Sequence, residues 1–328
     1  MTDFRHERAV LIAEDGHKIH LQMWHPPGIA THIIQVLHGL GEYSDRYSRF
    51  ATAATARGCI VSCHDHRGHG TNSDEPGHFA DSDGWHAVVN DTHLVNCRLR
   101  ELHAGVPLVL LGHSMGSYVA QFYAMHYSGY LNALILSAST LTSRIPLSIA
   151  YALAKLECRR LGVRGRSKLL DRLGFGNFNK AFRPARTERD WLSRDEQEVD
   201  RYVADPLCGG PYSCGLWLDI IKGLLEISSD SAISRIPGDL PILITGGAAD
   251  PVGGDKGMTK MLRHYAQTGH QRLKAKIYPD GRHEMLNEIN RDEVTRDWLD
   301  WIEAIGPKER PHSLAKKKPL PTGTAFSK

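Results

Sequence analysis

Four short, almost wholly apolar runs recur along the first half of the chain: Ile33-Ile34-Gln35-Val36-Leu37, Cys59-Ile60-Val61-Ser62, Pro107-Leu108-Val109-Leu110-Leu111 and Ala133-Leu134-Ile135-Leu136. Runs of this length without polar alternation suit strands buried on both faces, as in a parallel sheet. Helical stretches separate them, for instance Tyr43 to Arg57 and Trp85 to His103. Strand–helix alternation of this kind predicts an α/β fold with a doubly wound, mostly parallel sheet. Before it, Val10-Leu11-Ile12-Ala13 and Ile19 to Trp24 flank Glu14-Asp15-Gly16-His17 and predict an N-terminal hairpin. The alternation lapses after Ser137 and resumes at Pro241-Ile242-Leu243-Ile244-Thr245. A last strand follows at Leu273 to Tyr278, then a closing helix over Glu293 to Ile305.

The gap between the two sheet segments is too long for an ordinary loop. Residues 139–240 are therefore expected to form a mainly helical cap inserted into a core made of residues 1–138 and 241–306. Residues 307–328 carry six basic side chains against Glu309 alone and read as a disordered basic tail, leaving the body slightly acidic within a net charge of +3. With no basic stripe through the body, a nucleic-acid partner is not expected. No apolar run is long enough to span a membrane, and Met1 to Arg8 does not read as a signal peptide. The six cysteines include no C-x-x-C pair, so they read as reduced thiols and the expected location is the cytoplasm.

The chemistry begins at Gly112-His113-Ser114-Met115-Gly116, a G-x-S-x-G nucleophile elbow with an apolar strand before it and Val119, Phe122 and Tyr123 at helical spacing after it. A serine hydroxyl needs a base, and the base needs an orienting acid. On such a sheet the partners follow in the order Ser, Asp or Glu, His. Asp250 lies in the loop after Ile242 to Thr245, and His283 in the loop after the final strand. Both loops open on the sheet edge that carries Ser114. Asp255 and Glu284 are competitors for the acid, Glu284 the weaker because it adjoins the histidine. The oxyanion donors are expected to be the backbone N–H groups of Met115 and of Leu40, the latter in His38-Gly39-Leu40-Gly41-Glu42. His64, His66 and His69 look like a metal cluster, but their spacing fits no standard zinc signature. A structural loop is the expectation there; no metal and no cofactor are expected.

With these residues placed, the chain resembles the monoglyceride lipase and lysophospholipase branch of the α/β-hydrolase superfamily, grouped with serine aminopeptidase-like hydrolases. The resemblance spans residues 8 to 305 and rests on His38 to Glu42 with Arg46-Tyr47, Asp65 to Ser73, the elbow, and the loops of Asp250 and His283. It implies the α/β-hydrolase fold, with Ser114, Asp250 and His283 as nucleophile, acid and base and Leu40 and Met115 as oxyanion donors. The implied activity is hydrolysis of a carboxylic ester, of monoacylglycerol or lysophospholipid, through an acyl-enzyme. An aminopeptidase-like amidase would need a carboxylate cluster in the cap, and a noncatalytic binding protein would usually lack a triad member. Between Arg144 and Arg172 eight basic residues, Arg159, Arg160, Arg164 and Arg166 among them, follow an apolar run with Ile145, Ile149, Leu153 and Leu156. That stretch suits peripheral contact with the inner membrane face or a lysolipid phosphate; it equally suits a core-facing helix with a solvated basic face.

Overall fold

The computed structural model describes residues 4–71, 73 and 75–306, so the expected basic tail lies outside the described residues. The strands are β1 (Arg5–Ile12), β2 (Lys18–His25), β3 (His32–Leu37), β4 (Cys59–His64), β5 (Leu108–His113), β6 (Ala133–Ser137), β7 (Ile242–Gly247) and β8 (Leu273–Tyr278). They form one sheet in the order β1-β2-β4-β3-β5-β6-β7-β8. From β4 to β8 all pairings are parallel, while β2 joins β4 and β1 joins β2 antiparallel. β1 begins five residues ahead of the predicted Val10. Its first residues are mostly exposed and carry no apolar signal, so only pairing with β2 reveals them.

Each central strand is apolar throughout because its two faces feed two cores. Ile33, Leu108, Leu110, Leu134 and Ile244 enter the larger core. Their neighbours Ile34, Val109, Leu111, Ile135 and Leu243 enter the other. The larger core is closed by α2 (Gly84–Leu102), α3 (Met115–Tyr127) and α9 (Gly254–Gln267), the smaller by α1 (Ser48–Ala56) and α10 (Arg291–Glu303). Helix α9 was not anticipated; its buried apolar side chains are Met258, Met261 and Tyr265, too sparse a stripe in a polar segment to stand out. The strand order reverses between β3 and β5, which makes their carboxyl ends a topological switch point, where open α/β sheets bind ligands.

Residues between β6 and β7 fold into α4 (Arg144–Leu161), α5 (Lys168–Phe175), α6 (Glu196–Ala204), α7 (Cys214–Ile227) and the short α8 (Asp230–Ile233). Leu216 and Ile220 of α7 join the sheet's larger core, so the inserted helices are not a detached body. The basic stretch is less free than its sequence implied. Arg160 pairs with Glu157, Arg164 with Asp81 and Glu75, and Arg166 donates to the carbonyls of Pro76, Gly77 and Pro211. Three of the four arginines expected to meet an anionic surface therefore bind the protein itself.

Candidate active site

β5 is fully buried and ends in a turn that carries Ser114 at φ 51°, ψ −120°, a positive-φ conformation that L side chains seldom adopt. The turn is possible because glycines flank it. A Cβ on Gly112 would run into the carbonyl of Gly116, and one on Gly116 into that of Leu37. Ser114 N–H donates to Ser137 O at 2.9 Å, fixing the elbow to β6.

Three loops at the same sheet edge then meet. Ser114 Oγ lies 2.9 Å from His283 Nε2, and His283 Nδ1 lies 2.9 Å from Asp250 Oδ1. With Nδ1–H donating to the carboxylate, Nε2 is left to accept the serine proton. Asp250 also accepts from Val252 N–H at 2.9 Å, which orients its carboxylate. Of the competing acids, Glu284 turns away to a bidentate bond with Arg46 at 2.6 and 2.7 Å, and Asp255 lies in the first turn of α9, its carboxylate near Thr259. Met115 opens α3, so its N–H has no intrahelical acceptor, and both Met115 and Leu40 line the cavity with Ser114. Gly39 N–H is committed to Glu42 Oε1 at 2.6 Å, which leaves Leu40 as the next N–H of that loop.

The sequence reading missed what surrounds these groups. Arg46 bridges two buried carboxylates, Glu284 and Glu42, and its guanidinium lies 4.9 Å from the Tyr202 ring centroid. Burial opposes a charged His283, but Asp250, its hydrogen bond and then Glu284 and Glu42 outweigh it and raise the imidazole pKa above its ordinary value. The Trp191 ring, 4.8 Å from that of His283, roofs the site; nothing in the sequence linked a residue so far along the chain to the histidine. The cavity that opens from Ser114 has a volume of about 430 Å³. Its walls are mostly apolar, including Leu147, Leu170, Leu173, Phe178, Trp217 and Ile221. The arrangement can deprotonate a hydroxyl, hold a developing oxyanion against two N–H groups and bury an acyl chain in one place.

His64, His66 and His69 pack with His38 behind the Leu40 loop, with ring centroids 4.3 Å apart for His38 and His66 and 5.0 Å for His64 and His66. Among the described residues no group of three His, Cys, Asp or Glu is arranged to hold a metal ion. His66 N–H donates to His38 Nε2 at 2.9 Å, which leaves Nδ1–H of His38 to donate to Gly39 O at 2.8 Å. The cluster thereby fixes the loop ahead of Leu40.

The family described as serine aminopeptidase, S33, matches residues 28–290. Monoglyceride lipase of Homo sapiens is 28% identical over 281 residues, covering 85% of this chain and 84% of that protein. Monoacylglycerol lipase of Mycolicibacterium smegmatis is 27% identical over 292 residues, 88% and 93% of the two chains. Among solved structures, a thermostable carboxyl esterase from Bacillus coagulans in complex with glycerol superposes with a TM-score of 0.84 at 26% identity, over 92% of this chain and 98% of that one.

Two pH effects follow from this geometry. A general-base role for neutral His283 predicts that kcat/KM on a soluble ester rises with pH along a limb centred above the ordinary histidine value of about 6.5. In Glu284→Gln that limb moves to lower pH, because a carboxylate that favours imidazolium is gone; a limb that stays in place would show Glu284 does not act on His283. The second effect is on stability. Burial lowers the pKa of His38 and His69 to about 4 and of His64 to about 3. Unfolded histidines bind protons from about pH 6.5 downward while these do not, so stability is full above that value and falls as pH drops from there toward 4. Thermal melts from pH 8 to 4.5 should show a falling Tm below pH 6.5, and a slope that His64→Phe makes shallower.

Proposed function

The chain belongs to the serine aminopeptidase S33 family of α/β-hydrolases, and from that premise we propose that Ser114 attacks the carbonyl of a single-chain glycerol lipid ester, such as a monoacylglycerol. The activity is carboxylic ester hydrolysis, in keeping with relatives named lipases and esterases. In the first step His283 Nε2 takes the Ser114 proton while Asp250 holds the imidazole tautomer. The tetrahedral oxyanion rests on the N–H groups of Leu40 and Met115. His283 returns its proton to the departing alcohol, leaving an acyl-enzyme. Water activated by the same imidazole then releases the fatty acid. The observation that carries this reading is the continuous Ser114–His283–Asp250 hydrogen-bond chain opening into an apolar cavity of about 430 Å³. An amidase of amino-terminal substrates fits less well: Glu42 and Glu284, the carboxylates on the cavity wall, are both committed to Arg46.

We also infer peripheral contact with an anionic bilayer through α4 and α5. Ile145, Ile149 and Leu156 of α4 are 77%, 66% and 56% exposed, and Leu173 of α5 lines the cavity yet is 58% exposed. Lys155, Arg159 and Lys168 are exposed on the same helices. An apolar face flanked by cations suits a lipid surface, and single-chain lipids reside there.

Initial rates on p-nitrophenyl esters from two to sixteen carbons and on 1-monoacylglycerol test the chemistry. Ser114→Ala should lower kcat/KM by at least about 10⁴-fold, with the wild type favouring a medium or long chain; a mutant as active as wild type would sink the assignment. Ile145→Asp with Ile149→Asp should weaken binding to phosphatidylglycerol vesicles by about tenfold while rates on a short soluble ester hold. Equal vesicle binding would remove the membrane from the account.

A further inference from the structure

Past Ser137 the chain leaves β6 through Ala138 at φ 51°, a positive-φ turn that its neighbours hold in place. Ala138 N–H donates to Thr245 O of β7 at 2.9 Å. Ser139 Oγ accepts from Gln121 Nε2–H of α3 at 3.1 Å and lies 2.8 Å from Ser117 Oγ. Thr140 packs on the start of α9 so closely that a Cβ on Gly253 or Gly257 would collide with it. Three elements fix the path of this loop, and with it the direction of the Thr140 N–H.

That N–H donates to Tyr118 Oη. Tyr118 lies in the first turn of α3, is 8% exposed, and lines the catalytic cavity. Long side chains on a helix lean toward its N-terminus, and the residue capping this one is Ser114. Burial pushes the phenol pKa up, so the group keeps its proton and can donate it. Its oxygen is engaged by Thr140, yet its O–H has no acceptor among the described residues. A donor left unpaired in apolar surroundings is costly, so the cavity favours a guest that brings an oxygen to it.

The strand order says where that oxygen would sit. β3 and β6 flank β5 on opposite sides, so the Leu40 loop and the Thr140 loop lie to either side of Ser114. Thr142 lines the cavity two residues after Thr140, and α4 then begins, with its Leu147 and Ala150 lining the same cavity. The phenol stands at the root of the apolar wall that receives the acyl chain, across Ser114 from the oxyanion loop. We propose that Tyr118 is a specificity-determining residue, selecting acyl groups that carry a hydroxyl or keto oxygen along the chain by donating its O–H to that oxygen. The inference rests on the ester-hydrolase reading and adds to it the chemical class of the acyl group. A plain alkyl chain fills the same cavity but leaves the phenol proton unpaired.

The test uses p-nitrophenyl esters of dodecanoic acid and of its monohydroxy and keto derivatives, with the oxygen moved stepwise along the chain. The leaving group never changes, so only the acyl side is read. Wild-type kcat/KM should peak at one position of the oxygen. Tyr118→Phe should lower the ratio of that ester to the plain dodecanoyl ester by about tenfold. A flat positional profile in the wild type, or a ratio that Tyr118→Phe leaves within about twofold, overturns the proposal. So does a loss that appears instead between 1-lauroylglycerol and propyl laurate, since the phenol would then serve the alcohol. A wild type that cleaves plain and oxygenated esters alike keeps the ester-hydrolase reading and removes this inference alone. One that cleaves none of them overturns both.

Discussion

The turn at Ser114 is the constraint around which the site is built. A side chain at φ 51°, ψ −120° costs about 1–3 kcal/mol and persists only where its surroundings over-determine it. Here they do. β5 is fully buried before the turn, nearly all of α3 is buried after it, and Gly116 lies against the Leu37 carbonyl so closely that no side chain fits. Close packing of helix on strand leaves the backbone one path, and that path lifts Oγ clear of the sheet edge. The loops after β3, β7 and β8 end at that same edge because the strands run parallel. Parallel pairing, more than any local preference, brings Leu40, Asp250 and His283 to the serine.

Charge inside the site is arranged with similar economy. Glu42, Arg46 and Glu284 form a buried ionic cluster, and removing one partner of such a group usually costs about 3–5 kcal/mol because the rest stays buried unpaired. Its position gives it a second consequence. Glu42 grips Gly39 N–H and the Tyr47 hydroxyl, while Glu284 is chained to His283. One guanidinium therefore ties the loop of Leu40 to the loop of the base. Asp250, Glu284 and Glu42 together outweigh burial at the imidazole and favour its protonated form.

The inserted segment is joined to this site by hydrogen bonds that involve its backbone between Asp190 and Arg194. Glu284 N–H donates to Leu192 O at 2.8 Å, Arg282 donates to the carbonyls of Asp190 and Ser193, and the buried Glu288 accepts from both Arg282 N–H and Arg194 N–H. Trp191 is thereby fixed over His283. The wall of the apolar cavity is thus held in register with His283, and the inserted segment is tied to the Leu40 loop by Gly209 N–H, which donates to Gly41 O at 2.8 Å.

Much of this was legible from residue order alone. Parallel strands buried on both faces must be continuously apolar, so β3 to β7 stood out; the elbow glycines, and the chain order of Ser114, Asp250 and His283, have local steric or topological causes. The edge strand β1 and helix α9 were blurred because half-exposed elements need few apolar residues. Other features could not be read at all. Whether Glu284 would serve His283 or Arg46, whether Arg164 would face solvent or Asp81, and whether Trp191 would roof the base all depend on which segments meet. Local sequence sets strand, turn and helix through sterics and burial; a long-range ion pair or ring contact is set by chain segments that only the folded sheet and its inserted helices bring within reach.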